Sequence, residues 1–168
     1  SSYRQYAVDS DGDGKRDLFG NVDDAVESVA NYFVKKGGWV RGGTVMLPAL
    51  RDANAPDYNA EAIEATKPVE AFGVLGYRPA GTAAADAPVQ VIRFEGAGGF
   101  EYWMVFDNFR AITKYNTSRM YATAVYQLAE SIAGREAGVA TATQQATAAP
   151  PYVMPVAPTT TGTGATPP

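Results

Sequence analysis

The segment Asp-Ser-Asp-Gly-Asp-Gly-Lys-Arg-Asp, residues 9–17, constrains this chain of 168 residues more than any other stretch. Carboxylates at positions 1, 3 and 5 of a loop (Asp9, Asp11 and Asp13) are followed by Gly14, which permits a sharp bend. Alternate residues of such a loop can converge on one hard cation, which needs several oxygen ligands. The pattern predicts an EF-hand-like metal loop, in which Lys15 offers its backbone carbonyl. A turn without a metal is the alternative, because Asp and Gly favour turns.

The far end of the loop departs from the EF-hand pattern. Position 12, where a bidentate Glu is usual, is Gly20, which has no side-chain ligand. The next carboxylates are Asp23 and Asp24. Either of them could complete the metal shell from the first turn of the following helix.

We predict that helix over about residues 22–36. Asn21 is a suitable N-cap, and Gly37 is a suitable C-terminal stop. Apolar residues recur at helical spacing and predict one face that packs into a core. These residues are Val22, Val26, Val29 and Phe33.

The middle of the chain is rich in glycine, alanine and proline. We expect loops to dominate residues 37–57, a short helix over 59–66 and a surface loop over 76–88. Two β-rich runs, 89–94 and 100–106, flank a glycine-rich segment and predict a small β-hairpin.

A second amphipathic helix is predicted over about residues 118–133, with Ser118 as its cap and Gly134 at its stop. Its apolar stripe consists of Tyr121, Val125, Leu128 and Ile132. The segment 137–168 consists largely of Ala, Thr, Gln, Pro and Gly, so we expect a disordered tail after a folded portion over 1–136.

Composition excludes several kinds of site. The chain has no histidine and no cysteine, which excludes Ser-His-Asp catalysis, His-ligated zinc and thiol chemistry within these residues. The net charge is −4 without a basic run, so nucleic acid is not an expected partner. The sequence opens at Ser1-Ser2-Tyr3, and we expect a further segment upstream.

Three blocks of sequence resemble the lytic murein transglycosylase B family. They are Ser1–Asp9 (SSYRQYAVD), Ser28–Phe33 (SVANYF) and Phe106–Leu128 (FDNFRAITKYNTSRMYATAVYQL). The resemblance implies an α+β, mainly helical, lysozyme-like transglycosylase fold with an EF-hand-like metal loop over 9–24 and a small β-hairpin. This chain would be an incomplete, C-terminal part of that domain.

The resemblance also implies a function. The family cleaves the β-1,4 bond between N-acetylmuramic acid and N-acetylglucosamine in peptidoglycan, and leaves 1,6-anhydromuramic ends because the muramic C6 hydroxyl attacks instead of water. The family's catalytic Glu corresponds to a position upstream of this chain, so we expect the chain to be inactive alone and to need that upstream fragment. The substrate implies the periplasm, with association with the outer membrane as a further option.

Site residues follow from the same resemblance. Tyr32, Tyr115, Asn116 and Tyr121 match positions that line the glycan groove. Core packing is the alternative reading for these aromatic residues. The metal shell would consist of Asp9, Asp11, Asp13, the Lys15 carbonyl and Asp24, around a structural Ca²⁺ or Na⁺. Asp24 is preferred to Asp23 because a loop tolerates an insertion better than a packed helix does.

A non-catalytic module is the rival hypothesis. A calcium-dependent domain such as a dockerin would bind cell-wall glycan or another protein. A dockerin carries two copies of the Asp/Gly loop, whereas this chain has one. The block Tyr115–Tyr121 would also have no role in such a module.

Overall fold

An antiparallel sheet of five strands forms the centre of the fold in this computed structural model, which describes residues 2–64 and 66–135. The strands are β1 Met46–Arg51, β2 Lys67–Pro68, β3 Tyr77–Pro79, β4 Pro88–Gly96 and β5 Gly99–Val105, and they are arranged in the order β2-β4-β5-β1-β3. The helices are α1 Ser2–Tyr6, α2 Val22–Tyr32, α3 Val69–Val74, α4 Asp107–Thr113 and α5 Arg119–Ile132. The predicted tail over 137–168 lies outside the described residues.

Both faces of the sheet are covered. Along β5, Trp103 and Val105 belong to one hydrophobic cluster with Phe109 of α4, whereas Tyr102 and Met104 belong to a second cluster. Successive side chains of a strand point to opposite faces, so burial on both faces requires an unbroken apolar run. The prediction of a mainly helical chain is not confirmed, because both clusters are centred on this sheet.

The predicted hairpin is confirmed. Strands β4 and β5 pair from Gln90↔Val105 to Gly96↔Gly99. The loops expected over 37–57 are partly wrong, since β1 pairs with both β5 and β3. Pro48 suggested a loop but lies within β1, where its carbonyl accepts a hydrogen bond from the Ala80 N–H at 2.8 Å. The surface loop expected over 76–88 likewise contains β3.

The short helix predicted over 59–66 is wrong. The Ala60 N–H donates instead to the Val91 carbonyl of β4 at 3.1 Å, and Ala60 and Ile63 are buried in the first cluster. Buried Gln90 fastens the same segment, because its Nε2 donates to the Ala62 carbonyl at 3.3 Å. Packing against the sheet therefore overrides the local helical preference.

The first amphipathic helix begins and ends close to its predicted bounds. Asn21 caps α2, and its Oδ1 accepts from the Asp23 and Asp24 N–H groups at 3.0 and 3.3 Å. After Tyr32 the helix continues as one π-helical turn, Phe33–Gly37. The stop assigned to Gly37 is wrong by one residue, since Gly38 adopts the left-handed conformation with φ of 78°.

The expected burial of the α2 stripe is also wrong. Val22, Val26 and Val29 are exposed, whereas the buried residues of α2 are Asp24 and Ser28. Ser28 Oγ accepts from the Val8 N–H at 2.9 Å, so this face packs through polar contacts.

The predicted bounds of α5 are confirmed, with Ser118 as its cap and Gly134 at φ of 68° beyond its end. Its stripe is less buried than expected, because Leu128 and Ile132 are exposed and Val125 is only partly buried. Ala122 and Thr123 are the buried residues of this helix.

The helix α4 joins the sheet to the helical part of the chain. Asn108 is buried in α4, and its Oδ1 accepts from the Val40 N–H at 2.8 Å while its Nδ2 donates to the carbonyls of Val40 and Gly43, each at 2.8 Å. Ala111 lies on the same helix, and a Cβ added at Gly37 of the π-helical turn would lie 3.1 Å from its Cβ. Glycine therefore lets the π-helical turn approach α4 closely.

We expect Asn108→Ala to lower the free energy of unfolding by about 2–4 kcal/mol, because it leaves one N–H and two carbonyls without their buried partner. Urea-induced unfolding followed by tryptophan fluorescence measures this loss. The matched control is Gln127→Ala on the exposed side of α5, which should change the free energy of unfolding by less than about 0.5 kcal/mol. Equal effects of the two substitutions would contradict the anchoring role of Asn108.

Candidate functional site

The Asp/Gly loop brings three carboxylates together. One oxygen each from Asp9, Asp11 and Asp24 lie within 4.8 Å of one another. Asp9 and Asp11 come from the loop, whereas Asp24 comes from the first turn of α2 and is fully buried. Such a set of oxygen donors suits a hard cation such as Ca²⁺.

Backbone N–H groups hold Asp9 in place. Its Oδ1 accepts from Gly12 at 2.7 Å and Asp13 at 3.1 Å, and its Oδ2 accepts from Gly14 at 2.8 Å. Gly12 and Gly14 have φ of 77° and 86°, so this wrapping of the loop needs glycine. Desolvation raises the pKa of Asp9, but the N–H groups of Gly14, Gly12 and Asp13 outweigh it, so that the pKa lies below its ordinary value.

The structure separates the two candidate aspartates on α2. Asp24 accepts from the Ser10 N–H through Oδ1 and from the Asp17 N–H through Oδ2, each at 2.7 Å. It therefore ties both ends of the loop to the helix. Asp23 is exposed and does not belong to the group of three carboxylates.

Two further residues predicted as ligands, Asp13 and Lys15, make contacts within the turn. Asp13 is outside the group of three carboxylates, and its Oδ1 accepts from the Lys15 N–H at 2.8 Å. Lys15 is exposed. The Asp13 carboxylate and the Lys15 N–H thus close one turn of the loop.

Sequence reasoning assigned no role to Asp17, and it predicted Asn21 only as a helix cap. Asp17 Oδ1 accepts from the Phe19 and Gly20 N–H groups at 3.0 and 2.8 Å, and these bonds lower the pKa of Asp17. A Cβ at residue 20 would lie 2.5 Å from Asp17 Oδ2, which explains the glycine at position 12. Asn21 also donates from Nδ2 to Asp11 Oδ2 at 2.7 Å, so the helix cap orients a carboxylate of the group.

A connected group of aromatic rings forms the second feature, here called the aromatic groove. Tyr32 packs edge-on against Tyr115 with ring centroids 5.5 Å apart, and Tyr115 stacks on Tyr121 at 6.3 Å. Tyr6 of α1 contacts Tyr32 from the other side at 5.1 Å. The structure thus unites three of the four residues predicted to line a groove.

Reciprocal contacts hold the walls of the groove. The Tyr32 hydroxyl donates to the Lys114 carbonyl at 2.9 Å, and Lys114 Nζ donates to the Gly37 carbonyl at 3.0 Å. The end of α4 is therefore fastened to the end of α2 and to the π-helical turn that follows it. Sequence reasoning did not predict Lys114 as a groove residue. Its contact with Tyr32 uses the main-chain carbonyl, which every residue type carries.

The fourth predicted groove residue, Asn116, is exposed beside the rings. Its Oδ1 accepts from the Ser118 N–H at 3.0 Å, and Ser118 Oγ then accepts from the Tyr121 N–H at 3.2 Å. Asn116 thereby fixes the loop that carries Tyr115 ahead of α5. Its amide NH₂ has no hydrogen-bond partner within residues 2–64 and 66–135.

A cavity of about 390 Å³ opens beside these rings. Tyr115, which is 50% exposed, forms one wall, and α1 and α2 supply most of the others. The lining residues are Ser2, Tyr3, Tyr6, Ala7, Leu18, Ala25, Ser28, Val29, Tyr32 and Tyr115. No carboxylate belongs to this lining in the described part of the chain, so the cavity offers aromatic surface and hydroxyl groups without a proton donor of the Glu type.

Comparison with known proteins identifies relatives of the whole folded portion. The family model described as "Transglycosylase SLT domain" matches residues 1–130. Membrane-bound lytic murein transglycosylase B of Escherichia coli K12 is 38% identical over 133 residues, which are 79% of this chain and 36% of that protein.

Two solved structures have the same fold. SltB3 of Pseudomonas aeruginosa, in complex with NAG-anhNAM-pentapeptide, is 35% identical with a TM-score of 0.71, over 83% of this chain and 38% of that chain. The lytic transglycosylase Slt35 of Escherichia coli, in complex with calcium, is 36% identical with a TM-score of 0.68, over 79% and 41%. The chain therefore spans about two fifths of these relatives, has a lysozyme-like fold and belongs to the SLT transglycosylase family.

Proposed function

We propose that this chain is part of a peptidoglycan lytic transglycosylase and supplies the cation loop and part of the glycan groove. The contiguous rings of Tyr32, Tyr115 and Tyr121 carry this proposal, because they lie at an open cavity in a chain of the transglycosylase family. The relative SltB3 was crystallised with a glycan fragment that ends in an anhydro sugar.

The groove suits a sugar ring with an acetamido group. Tyrosine presents a flat apolar face against which the C–H groups of a pyranose can pack. The hydroxyl of Tyr32 is already bound to Lys114, so Tyr32 contributes its ring to the groove. Asn116 retains its amide NH₂ as a donor for the carbonyl of an acetamido group.

The proton donor belongs to another part of the catalytic domain. One carboxyl group would protonate the leaving oxygen of the β-1,4 bond and then accept the proton of the muramic C6 hydroxyl as it attacks C1. This route differs from the paired carboxylates of hydrolytic glycosidases. The described lining of the cavity contains no carboxylate, which supports an acid from the upstream fragment.

The exposed apolar faces of α2 and α5 provide a surface for that fragment. Val22 and Val26 of α2 are 75% and 62% exposed, and Ile132 of α5 is 79% exposed. Burial of such side chains against a further part of the domain is favourable.

The cation is proposed to be structural. Asp9, Asp11 and Asp24 would bind Ca²⁺ or Na⁺ with the help of Asp13 and the Lys15 carbonyl, and the ion would offset repulsion among the carboxylates. Binding to the folded loop alone stabilises it. The relative Slt35 was crystallised with calcium, which supports this assignment.

The proposed place of action is the periplasm, where peptidoglycan lies, at the outer membrane. The E. coli relative is named as membrane-bound. In residues 2–64 and 66–135 no helix is long and apolar enough to cross a membrane.

The full-length protein that contains this chain should release muropeptides with 1,6-anhydro ends from purified sacculi, as detected by mass spectrometry. Tyr115→Ala should lower kcat/KM about tenfold, because loss of a ring against a sugar costs about 1–1.5 kcal/mol. The matched control is Phe100→Ala, which removes an exposed ring from the hairpin tip and should leave kcat/KM unchanged. Products with hydrolysed reducing ends would contradict the proposed reaction.

Calcium at about 100 times its Kd should raise the Tm of the chain by about 5–10 °C, since binding to the folded state contributes about 2.7 kcal/mol. Asp11→Asn should remove most of this response, and Asp23→Asn should keep it, because Asp23 lies outside the group of carboxylates. Thermal unfolding with Ca²⁺, with EDTA and with NaCl at matched ionic strength measures the effect. Equal responses of the two variants would refute the assigned ligands.

A further inference from the structure

The Asp/Gly loop also forms part of the wall of the cavity beside the aromatic groove. Leu18 lines that cavity, and among residues 11–20, all of which the structure describes, it is the one residue that is not exposed. Tyr3 of α1 lines the same cavity, and its hydroxyl donates to the Arg16 carbonyl at 2.6 Å. The loop and α1 therefore meet at the cavity.

A single peptide unit connects this wall with the group of carboxylates. The Arg16 carbonyl accepts from Tyr3, and the Asp17 N–H of the same peptide donates to Asp24 Oδ2 at 2.7 Å. Because a peptide unit is planar and stiff, its carbonyl and its N–H cannot move separately. Any change in the position of Asp24 relative to the loop therefore reaches the Tyr3 hydroxyl directly.

The helix α1 carries the same connection on to the aromatic rings. Asn31 of α2 donates from Nδ2 to the Tyr6 carbonyl at 2.8 Å, and the Tyr6 ring packs against Tyr32. Tyr3 and Tyr6 lie on one helix of five residues. A displacement of α1 at Tyr3 would therefore also change the contact between Tyr6 and Tyr32.

The carboxylates give this connection a signal to transmit. Asp9, Asp11 and Asp24 have oxygens within 4.8 Å of one another, and Asp24 is fully buried. Like charges at that distance repel, and a bound cation would offset the repulsion. Loss of the cation would leave the repulsion in place and weaken the hold of Asp24 on the peptide unit between Arg16 and Asp17.

We infer that the peptide unit between Arg16 and Asp17 couples cation binding at the loop to sugar binding in the aromatic groove, with Tyr3 as a positioning residue. The inference rests on the proposed function, which supplies both ligands. The two binding events then strengthen one another. Coupling of this kind is reciprocal, so each ligand changes the affinity for the other by the same factor.

The test is isothermal titration calorimetry of the full-length protein that contains this chain. The sugar probe is the disaccharide GlcNAc-MurNAc, which lacks the bond that the family cleaves. Calcium should lower the Kd of the disaccharide about fivefold relative to metal-free buffer, which is the effect of about one hydrogen bond. The disaccharide should lower the Kd of calcium by the same factor.

Tyr3→Phe keeps the ring at the cavity and removes the donor to Arg16. This variant should still bind calcium, but the effect of calcium on the Kd of the disaccharide should fall below about twofold. The matched control is Tyr126→Phe, which removes a hydroxyl from α5 outside the cavity lining and should keep the fivefold effect. An equal loss of disaccharide affinity with and without calcium in Tyr3→Phe would assign the hydroxyl to the sugar itself and overturn the inference.

A second measurement needs no sugar. In the ¹⁵N-labelled full-length protein, calcium should shift the amide NMR signals of residues 3–6 together with those of the loop. In Tyr3→Phe the shifts of residues 3–6 should shrink while those of the loop persist. Shifts confined to residues 9–24 of the unaltered protein would overturn the inference. Failure of the disaccharide to bind in either buffer would count against the proposed function, and the calcium shifts would still decide the coupling.

Discussion

The close approach of the π-helical turn Phe33–Gly37 to α4 is the contact on which the rest of the structure depends. A Cβ at residue 37 would lie 3.1 Å from the Ala111 Cβ, so glycine favours this close approach, and the Lys114 ammonium reaches the Gly37 carbonyl at 3.0 Å. This contact joins the Asp/Gly loop and α2 to the sheet, which has its own core. Together with the bonds of Asn108 to Val40 and of Tyr32 to Lys114, it sets the position of Tyr32 relative to Tyr115.

The same contact also holds the aromatic groove in place. The Tyr32 hydroxyl is bound to the carbonyl of the same residue whose side chain holds the turn, so Tyr32 is tied to the residue next to Tyr115. Asn116 and Ser118 order the remaining wall through backbone N–H groups. Groups that are ordered before binding lose less conformational entropy when a sugar arrives. The Asp/Gly loop contributes at a distance, because Asp24 in the first turn of α2 accepts from its Ser10 and Asp17 N–H groups.

The errors in reading the sequence have a common physical origin. An amphipathic stripe shows which side of a helix is apolar, but does not show that the partner surface is present in the chain. On α2 the described structure buries Asp24 and Ser28, which satisfy backbone groups of the loop, and leaves the valines exposed. Likewise, residues 59–66 have local helical preference, but their N–H and apolar groups find better partners on β4.

The sequence by itself determined those elements that are specified by residues close to one another along the chain. The glycines and carboxylates of the Asp/Gly loop, the caps Asn21 and Ser118 and the hairpin over β4 and β5 can be recognised because each depends on neighbouring residues. The tertiary structure alone decided that Pro48 lies within a strand and that Lys114 fastens the groove, whereas the position of Asp24 beside Asp9 and Asp11 agrees with the preference already drawn from the sequence. Those outcomes depend on groups far apart in sequence, whose meeting is set by the packing of the sheet against α4.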